Sequence, residues 1–184
     1  MENTVILISG MPATGKSTFG AWLSQKLRAP LVSYDHILAK LTEPAAEAPD
    51  TKGHPAFQRI PYEFFFFTLE EAMRSSARFL ADYIFSDQIA GLLDRLTEQY
   101  GYRVINIHLD AAPETAYRRF LRRNTQDRES KKIRPAVSPE DFRSATKQNR
   151  DFRYGDCLIE VDTEDFSRLS YDSVYEAVKK HLQE

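Results

Sequence analysis

One cysteine, Cys157, occurs in 184 residues. A single thiol cannot close an intrachain disulfide, so a reducing, cytoplasmic compartment is the expectation. No uninterrupted apolar run approaches the ~18–20 residues of a membrane span, and the charged Glu2 does not open a signal peptide, so no membrane partner is expected. Positive charge is not in excess either. Lys and Arg number 25 against 27 Asp and Glu, a net charge of −2, which argues against a generally basic nucleic-acid binder but not against a local basic patch. The histidines, at 36, 54, 108 and 181, show no metal-site spacing. No Gly-x-Ser-x-Gly element supports serine hydrolase chemistry. What remains is a composition of 42% hydrophobic and 28% charged residues, that of a globular protein. The length suits a single domain over residues 1–184, burying roughly 70% of the unfolded surface.

Short β-branched or apolar runs predict strands over 4–9, 31–34, 79–84, 103–109 and 158–161. Helical spacing or capping signals separate them. Phe19, Trp22, Leu23 and Leu27 share one stripe, a helical turn runs from His36 to Leu41, and a helix from Pro61 to about Arg78. Ser86 is read as the cap of a helix stopped by Gly101, and Pro113 as the opening of one reaching about Arg123. Ser138 with Asp141, and Ser173 with Glu176, have capping spacing for two more helices. Residues 42–60 hold three prolines and a glycine and read as a loop or partly ordered segment. Strands alternating with helices predict an α/β domain with a five-stranded, mostly parallel sheet, which binds ligands beyond the carboxyl ends of its strands.

The first such strand end carries Gly10-Met11-Pro12-Ala13-Thr14-Gly15-Lys16-Ser17, followed by Thr18. The pattern G-x-x-x-x-G-K-[ST] is the phosphate loop, and by average composition it arises by chance in roughly one chain of this length in two hundred. Glycines let successive backbone N–H groups turn inward around a phosphate chain, and the following helix adds its free N–H groups and dipole. Lys16 supplies a mobile charge for the β- and γ-oxygens, and the Ser17 hydroxyl can ligate Mg²⁺, roles taken from the general template for such loops. ATP and Mg²⁺ are therefore the expected cofactors. No N-K-x-D element specifies guanine, no L-S-G-G-Q marks a transporter ATPase, and the length leaves little room for the lid subdomain of a ring ATPase.

The runs ILISGMPATGKST, VSYDH and HLDAAPETAYRRFLRRN resemble the P-loop kinases that include zeta toxins, chloramphenicol phosphotransferase and 5′-polynucleotide kinases. The likeness spans about residues 4–165 and implies a three-layer P-loop NTPase fold. It implies that Asp35 takes the proton of the acceptor hydroxyl, the alternative being that Asp35 only caps the helix after it. Asp82 aligns with an acidic residue that holds Mg²⁺ through water or holds the acceptor, although ADYIF departs from the family wording. Asp110 resembles a Walker B carboxylate but is read as closing the turn into the Pro113 helix.

Residues 118–134 carry eight Lys or Arg and two acids, a local net charge of +6. The resemblance implies that one or two of Arg119, Arg122 and Arg123 line the transferring γ-phosphate, that another stacks on adenine, and that about 124–137 forms an arginine-rich lid. A solvated charged face and a track for a nucleic-acid backbone are the competing readings. Four consecutive phenylalanines, 64–67, cannot share one helix face, so at least one should leave the core. With Tyr62, Arg59 and His54 they form the candidate acceptor wall. The expected activity is transfer of the γ-phosphoryl of ATP to a hydroxyl of a small molecule or of a 5′-hydroxyl nucleic-acid end. A non-catalytic ATP-binding switch, or a regulatory ATPase acting on a protein partner, is the alternative.

Overall fold

A computed structural model describes residues 3–42, 55–75, 77–129 and 137–183. Five strands form one sheet: β1 (Thr4–Ser9), β2 (Leu31–Ser33), β3 (Phe79–Asp82), β4 (Arg103–Asp110) and β5 (Cys157–Asp162). Their order is β2-β3-β1-β4-β5, and every pairing among the described residues is parallel. Seven helices accompany them among the described residues: α1 (Lys16–Leu27), α2 (Tyr34–Thr42), α3 (Pro55–Arg74), α4 (Ala90–Tyr100), α5 (Pro113–Glu129), α6 (Pro139–Asp151) and α7 (Tyr171–Gln183).

The side-chain alternation of β1 explains the layering. Val5 and Leu7 join Phe65, Leu69, Phe79 and Leu93 on the α3/α4 face. Ile6 and Ile8 join Phe19, Leu23, Ile105 and Val178 on the α1/α7 face. A strand read as one continuous apolar run is thus a strand covered on both faces, each buried Leu, Ile or Phe contributing about 1.5–3 kcal/mol. Met11, Ala116 and Phe142 make a third, smaller cluster where α5 and α6 meet the loop after β1.

Several boundaries differ from expectation. The helix expected from Pro61 begins six residues earlier, at Pro55, with Pro61 inside it. Tyr62, Phe65, Phe66, Leu69 and Met73 pack that helix onto the sheet, and this packing outweighs the backbone hydrogen bond that Pro61 cannot donate. Residues 43–54 of the expected loop, with His54, lie outside the described residues. Helix α2 begins at Tyr34, so Asp35 sits in its first turn rather than capping it. Ser86 precedes a single 3₁₀ turn, Asp87–Ile89, without a side-chain capping bond. Helix α5 runs on to Glu129, so residues 124–129 of the expected lid are helical, while 130–136, including Lys131, Lys132 and Arg134, lie outside the described residues. Helix α7 starts near Ser170, whose Oγ accepts from Ser173 N at 3.2 Å, so the cap stands three residues before the one expected. Ser138 does cap α6, accepting from Asp141 N at 3.0 Å, and Gly101 ends α4 in the left-handed region.

No helix among the described residues is long and apolar enough to cross a membrane. β1 lies between β3 and β4, while the chain leaves it first for β2 and returns through β3 before crossing to β4. The topological switch therefore falls at the carboxyl ends of β1 and β3, where a crevice opens in sheets of this kind.

Candidate functional site

At that switch β1 hands the chain to the phosphate loop. Ser9, its last residue, donates to Asn106 Oδ1 at 2.7 Å and lies 2.9 Å from His108 Nδ1, both on the neighbouring β4. Burial pushes His108 down to about 4, helped by the nearby Arg153 guanidinium, so the ring is neutral at physiological pH and the loop starts from an uncharged anchor. Gly10, Ala13 and Gly15 all adopt positive φ (123°, 66° and 92°). Such left-handed steps point consecutive N–H groups into one concavity, a nest for anions. Gly15 stands at the N-cap of α1 with no side-chain cap, which leaves the first-turn N–H groups for a ligand. Met11 faces away, buried against Ala116 and Phe142, and its carbonyl accepts from Thr14 Oγ1 at 2.9 Å and Lys16 Nζ at 2.8 Å. The loop thus divides into a buttress of Gly10, Met11 and Thr14, and a lining of Pro12, Ala13, Gly15, Lys16, Ser17 and Thr18 along a cavity of about 540 Å³.

Lys16 is buried, and burial pulls its ammonium down to about 8 against the attraction of Asp82 and Asp35; Arg123 lowers it further. Asp82 ends β3 in register with Ile8 and with Ser33, whose Oγ lies 3.5 Å from Asp82 Oδ2. Burial raises the Asp82 carboxyl, while Lys16 and a hydrogen bond from Ser17 pull it back toward the charged form. Ser17 and Asp82 are therefore adjacent hard oxygen donors beside the loop lysine, a pair that suits Mg²⁺ sharing its remaining positions with phosphate and water. No cluster of three or more His, Cys, Asp or Glu that could cage a metal occurs among the described residues.

The cavity has two chemically different flanks. Arg119, Arg122 and Arg123 project from α5 on one side, and Asp35, Asp82, Tyr34 and Tyr83 face the other. Arg119 is not a loose cation: Nη1 and Nη2 donate to the carbonyls of Thr163 and Glu164 at 2.8 and 2.9 Å, and its guanidinium lies over Phe166. Arg122 is exposed and Arg123 half-buried. The Asp110 carbonyl accepts from Thr163 N at 2.8 Å, joining the ends of β4 and β5.

A family profile described as an AAA domain matches residues 5–143. The chain belongs to the AAA domain family. No curated protein matches it in sequence. Among solved structures, a candidate kinase of Chloroflexus aurantiacus is similar at 22% identity and TM-score 0.78, over 100% of this chain and 98% of that one. A gluconokinase of Sinorhizobium meliloti is similar at 15% identity and TM-score 0.59, over 97% of each chain. The APS kinase of Mycobacterium tuberculosis, solved with AMPPNP and APS, is similar at 12% identity and TM-score 0.62, over 100% and 99%. At these identities the likeness is one of fold.

Within this AAA domain, Arg59 stands apart from the other candidate residues. Its guanidinium pairs with Glu63 at 2.9 Å on the exposed side of α3, and it does not line the cavity. The phenylalanine run divides as its spacing required: Phe65 and Phe66 are buried, and Phe64 and Phe67 are exposed. Neither exposed ring lines the cavity, whose aromatic lining is Tyr34 and Tyr83 on one flank and Phe120 and Phe166 on the other. Sequence reading missed the tyrosine pair although both flank aspartates it had singled out. It missed Phe166 too, and Glu164, whose carboxylate accepts from Ala112 N at 2.8 Å and from Thr115 Oγ1, tying the segment after β5 to the start of α5. No local pattern marks those two; only the sheet order brings β5 beside the loop of β1 and β4.

Proposed function

We propose that this protein is an ATP- and Mg²⁺-dependent kinase that transfers the γ-phosphoryl group to a hydroxyl of a small-molecule acceptor, within one domain of the kind found in zeta toxins and chloramphenicol phosphotransferase. The observation that carries the proposal is the crevice itself. Lys16, Ser17 and Asp82 converge at the end of a phosphate loop, with Asp35 across the same cavity and three α5 arginines beside it. A nucleotide-binding switch has no need for an acid poised opposite the loop.

The chemistry assigns each group a task. The loop N–H groups and Lys16 hold the polyphosphate, and Ser17 with Asp82 would hold Mg²⁺, which would supply positive charge to the phosphates. Asp35 orients the acceptor O–H and receives its proton as the acceptor oxygen bonds to the γ-phosphorus. The bond from that phosphorus to the β,γ-bridging oxygen breaks, and ADP leaves with the electron pair. Arg122 and Arg123, which line the same cavity as Lys16, supply charge to the transferring group. Arg119 presents a flat, fixed surface suited to stacking a nucleobase.

A transfer assay with γ-labelled ATP tests the reading. Across a panel of sugars, nucleosides, hydroxylated antibiotics and 5′-hydroxyl oligonucleotides, label should pass to at least one class. Asp35→Asn should bind ATP like wild type while losing transfer about 10²–10⁴-fold. Wild-type transfer by Asp35→Asn overturns its role, and acceptor-independent ADP release with no labelled product favours a switch or regulatory ATPase.

A further inference from the structure

The cavity segregates its charges. All four cations on its wall, Lys16, Arg119, Arg122 and Arg123, belong to the phosphate loop or to α5. The opposite flank, built from α2 and the end of β3, presents Tyr34, Asp35, Leu38, Asp82, Tyr83 and Ile84, and among the described residues it holds no Lys or Arg. His36 is exposed on α2 and does not line the cavity.

The flank is rigid as well as acidic. Tyr34 and Tyr83 meet edge to face with ring centroids 4.8 Å apart. Tyr83 stacks on the buried Phe65 at 5.1 Å and 28°, and Phe65 meets Tyr34 at 5.9 Å. Ring pairs held on a buried anchor cannot rotate freely, so they offer a fixed surface rather than an adaptable one. Burial pushes the Tyr83 hydroxyl up to about 12, so it stays a neutral hydrogen-bonding group across the working pH range. Ile84, 42% exposed, and Leu38 extend the apolar edge.

We infer that the phosphoryl acceptor is an uncharged or amine-bearing hydroxyl compound that lays a flat apolar face against Tyr34 and Tyr83, and that carboxylated, sulfated or phosphorylated acceptors are discriminated against. The inference rests on the kinase reading above and narrows it. With ATP and Mg²⁺ in place, the polyphosphate would neutralise Lys16, Arg122 and Arg123 and the metal would occupy Asp82, so an entering acceptor meets Asp35 on a flank without Lys or Arg among the described residues. An anion there finds a like charge and, among the described residues lining the flank, no Lys or Arg to pair with, so the loss of its hydration shell is not offset. An ammonium gains attraction from the Asp35 carboxylate. A neutral compound gains ring contact and hydrogen bonds to tyrosine hydroxyls without a charge penalty. A 5′-hydroxyl oligonucleotide, which brings a phosphate with every following residue, is disfavoured on the same ground.

The test uses charge-matched pairs in the labelled-ATP assay: a hexose against the corresponding hexonate, an aryl diol against an aryl hydroxy acid, and an aminoglycoside against an oligonucleotide. The expected result is kcat/KM at least tenfold higher for the neutral or cationic member of each pair. Leu38→Lys, which adds a cation to the acceptor flank, should shrink that ratio at least threefold. Equal rates within pairs, or a preference for the anions, overturns the inference and leaves the kinase reading standing. No transfer to any member, with ATP binding intact, overturns the kinase reading and the inference with it.

Discussion

The Arg119 guanidinium lies 3.8 Å from the centre of the Phe166 ring, and its Nη atoms are committed to the carbonyls of Thr163 and Glu164. Three contacts from the segment after β5 thus fix an α5 side chain beside the phosphate loop. A cation–π contact of this exposure is worth about 1 kcal/mol. Phe166→Ala should therefore weaken ATP binding roughly fivefold and leave the transfer rate at saturating ATP nearly unchanged, as isothermal titration and kcat can establish. Arg122→Ala and Arg123→Ala should show the reverse, with kcat reduced ~10²-fold or more by at least one and ATP affinity less affected. Parallel behaviour of all three substitutions would remove the division of labour drawn here.

Asp82 is the second structural pivot. Its buried carboxylate shares a hydrogen bond with Ser17 and attracts Lys16. Asp82→Asn keeps the shape and removes the charge. Removing a group that supports metal binding costs about 10–100-fold in affinity, so the half-saturating Mg²⁺ concentration for transfer should rise by about that factor. An unchanged Mg²⁺ requirement would place Asp82 outside the metal site.

Lys16 makes a prediction whose sign follows from burial. Its ammonium sits at about 8 rather than the ordinary 10.5, so between those values the unfolded chain binds the additional proton. The contribution of Lys16 to stability accordingly rises as pH climbs from about 8 toward 10.5, and at pH 7 its buried charge is a cost. Lys16→Met should stabilise the empty protein at pH 7 by up to about 3 kcal/mol, read from urea unfolding, while abolishing ATP binding. In wild type, ATP affinity should fall as pH passes about 8, approaching tenfold per pH unit, because binding the polyphosphate then requires proton uptake by Lys16. Affinity that stays level from pH 7 to 10 would show that Lys16 is not the group the polyphosphate engages.

The legibility of the chain followed the range of the interactions involved. The phosphate loop, the apolar runs of β1 and β4 and the Ser138 cap are local, so their residues announce them. Asp82 was visible only through the family resemblance, because the strand expected over 79–84 runs past it, whereas β3 ends at Asp82. Pro61 misled because first-turn proline is the commoner habit, and only the tertiary packing of Phe65, Phe66 and Leu69 carries α3 through it. Arg119, Arg122 and Arg123 read alike as a charge run, and no spacing rule separates them. What sets Arg119 apart is its bonding to the carbonyls of Thr163 and Glu164, forty-four and forty-five positions away. The aromatic lining of the cavity was not legible for the same reason. The run of phenylalanines is conspicuous in sequence, yet the cavity receives Tyr34 and Tyr83 from the ends of two strands.

Two glycines in the left-handed region test how far the loop depends on close backbone approach. At Gly101, φ is 64° and a Cβ would meet nothing within 4 Å, so Gly101→Ala bears only the conformational cost, about 1 kcal/mol. At Gly10, φ is 123° and a Cβ would fall 2.1 Å from the Leu109 carbonyl oxygen, a main-chain atom that cannot swing aside. Relief requires β1 and β4 to part just where Ser9 is bonded across to Asn106 and the loop begins. Gly10→Ala should therefore cost upwards of about 3 kcal/mol and reduce ATP affinity even in the fraction that folds, whereas Gly101→Ala should leave affinity unchanged. Urea midpoints and ATP titrations on the pair separate the two effects, and equal midpoints would show that the strand ends yield more easily than their packing implies.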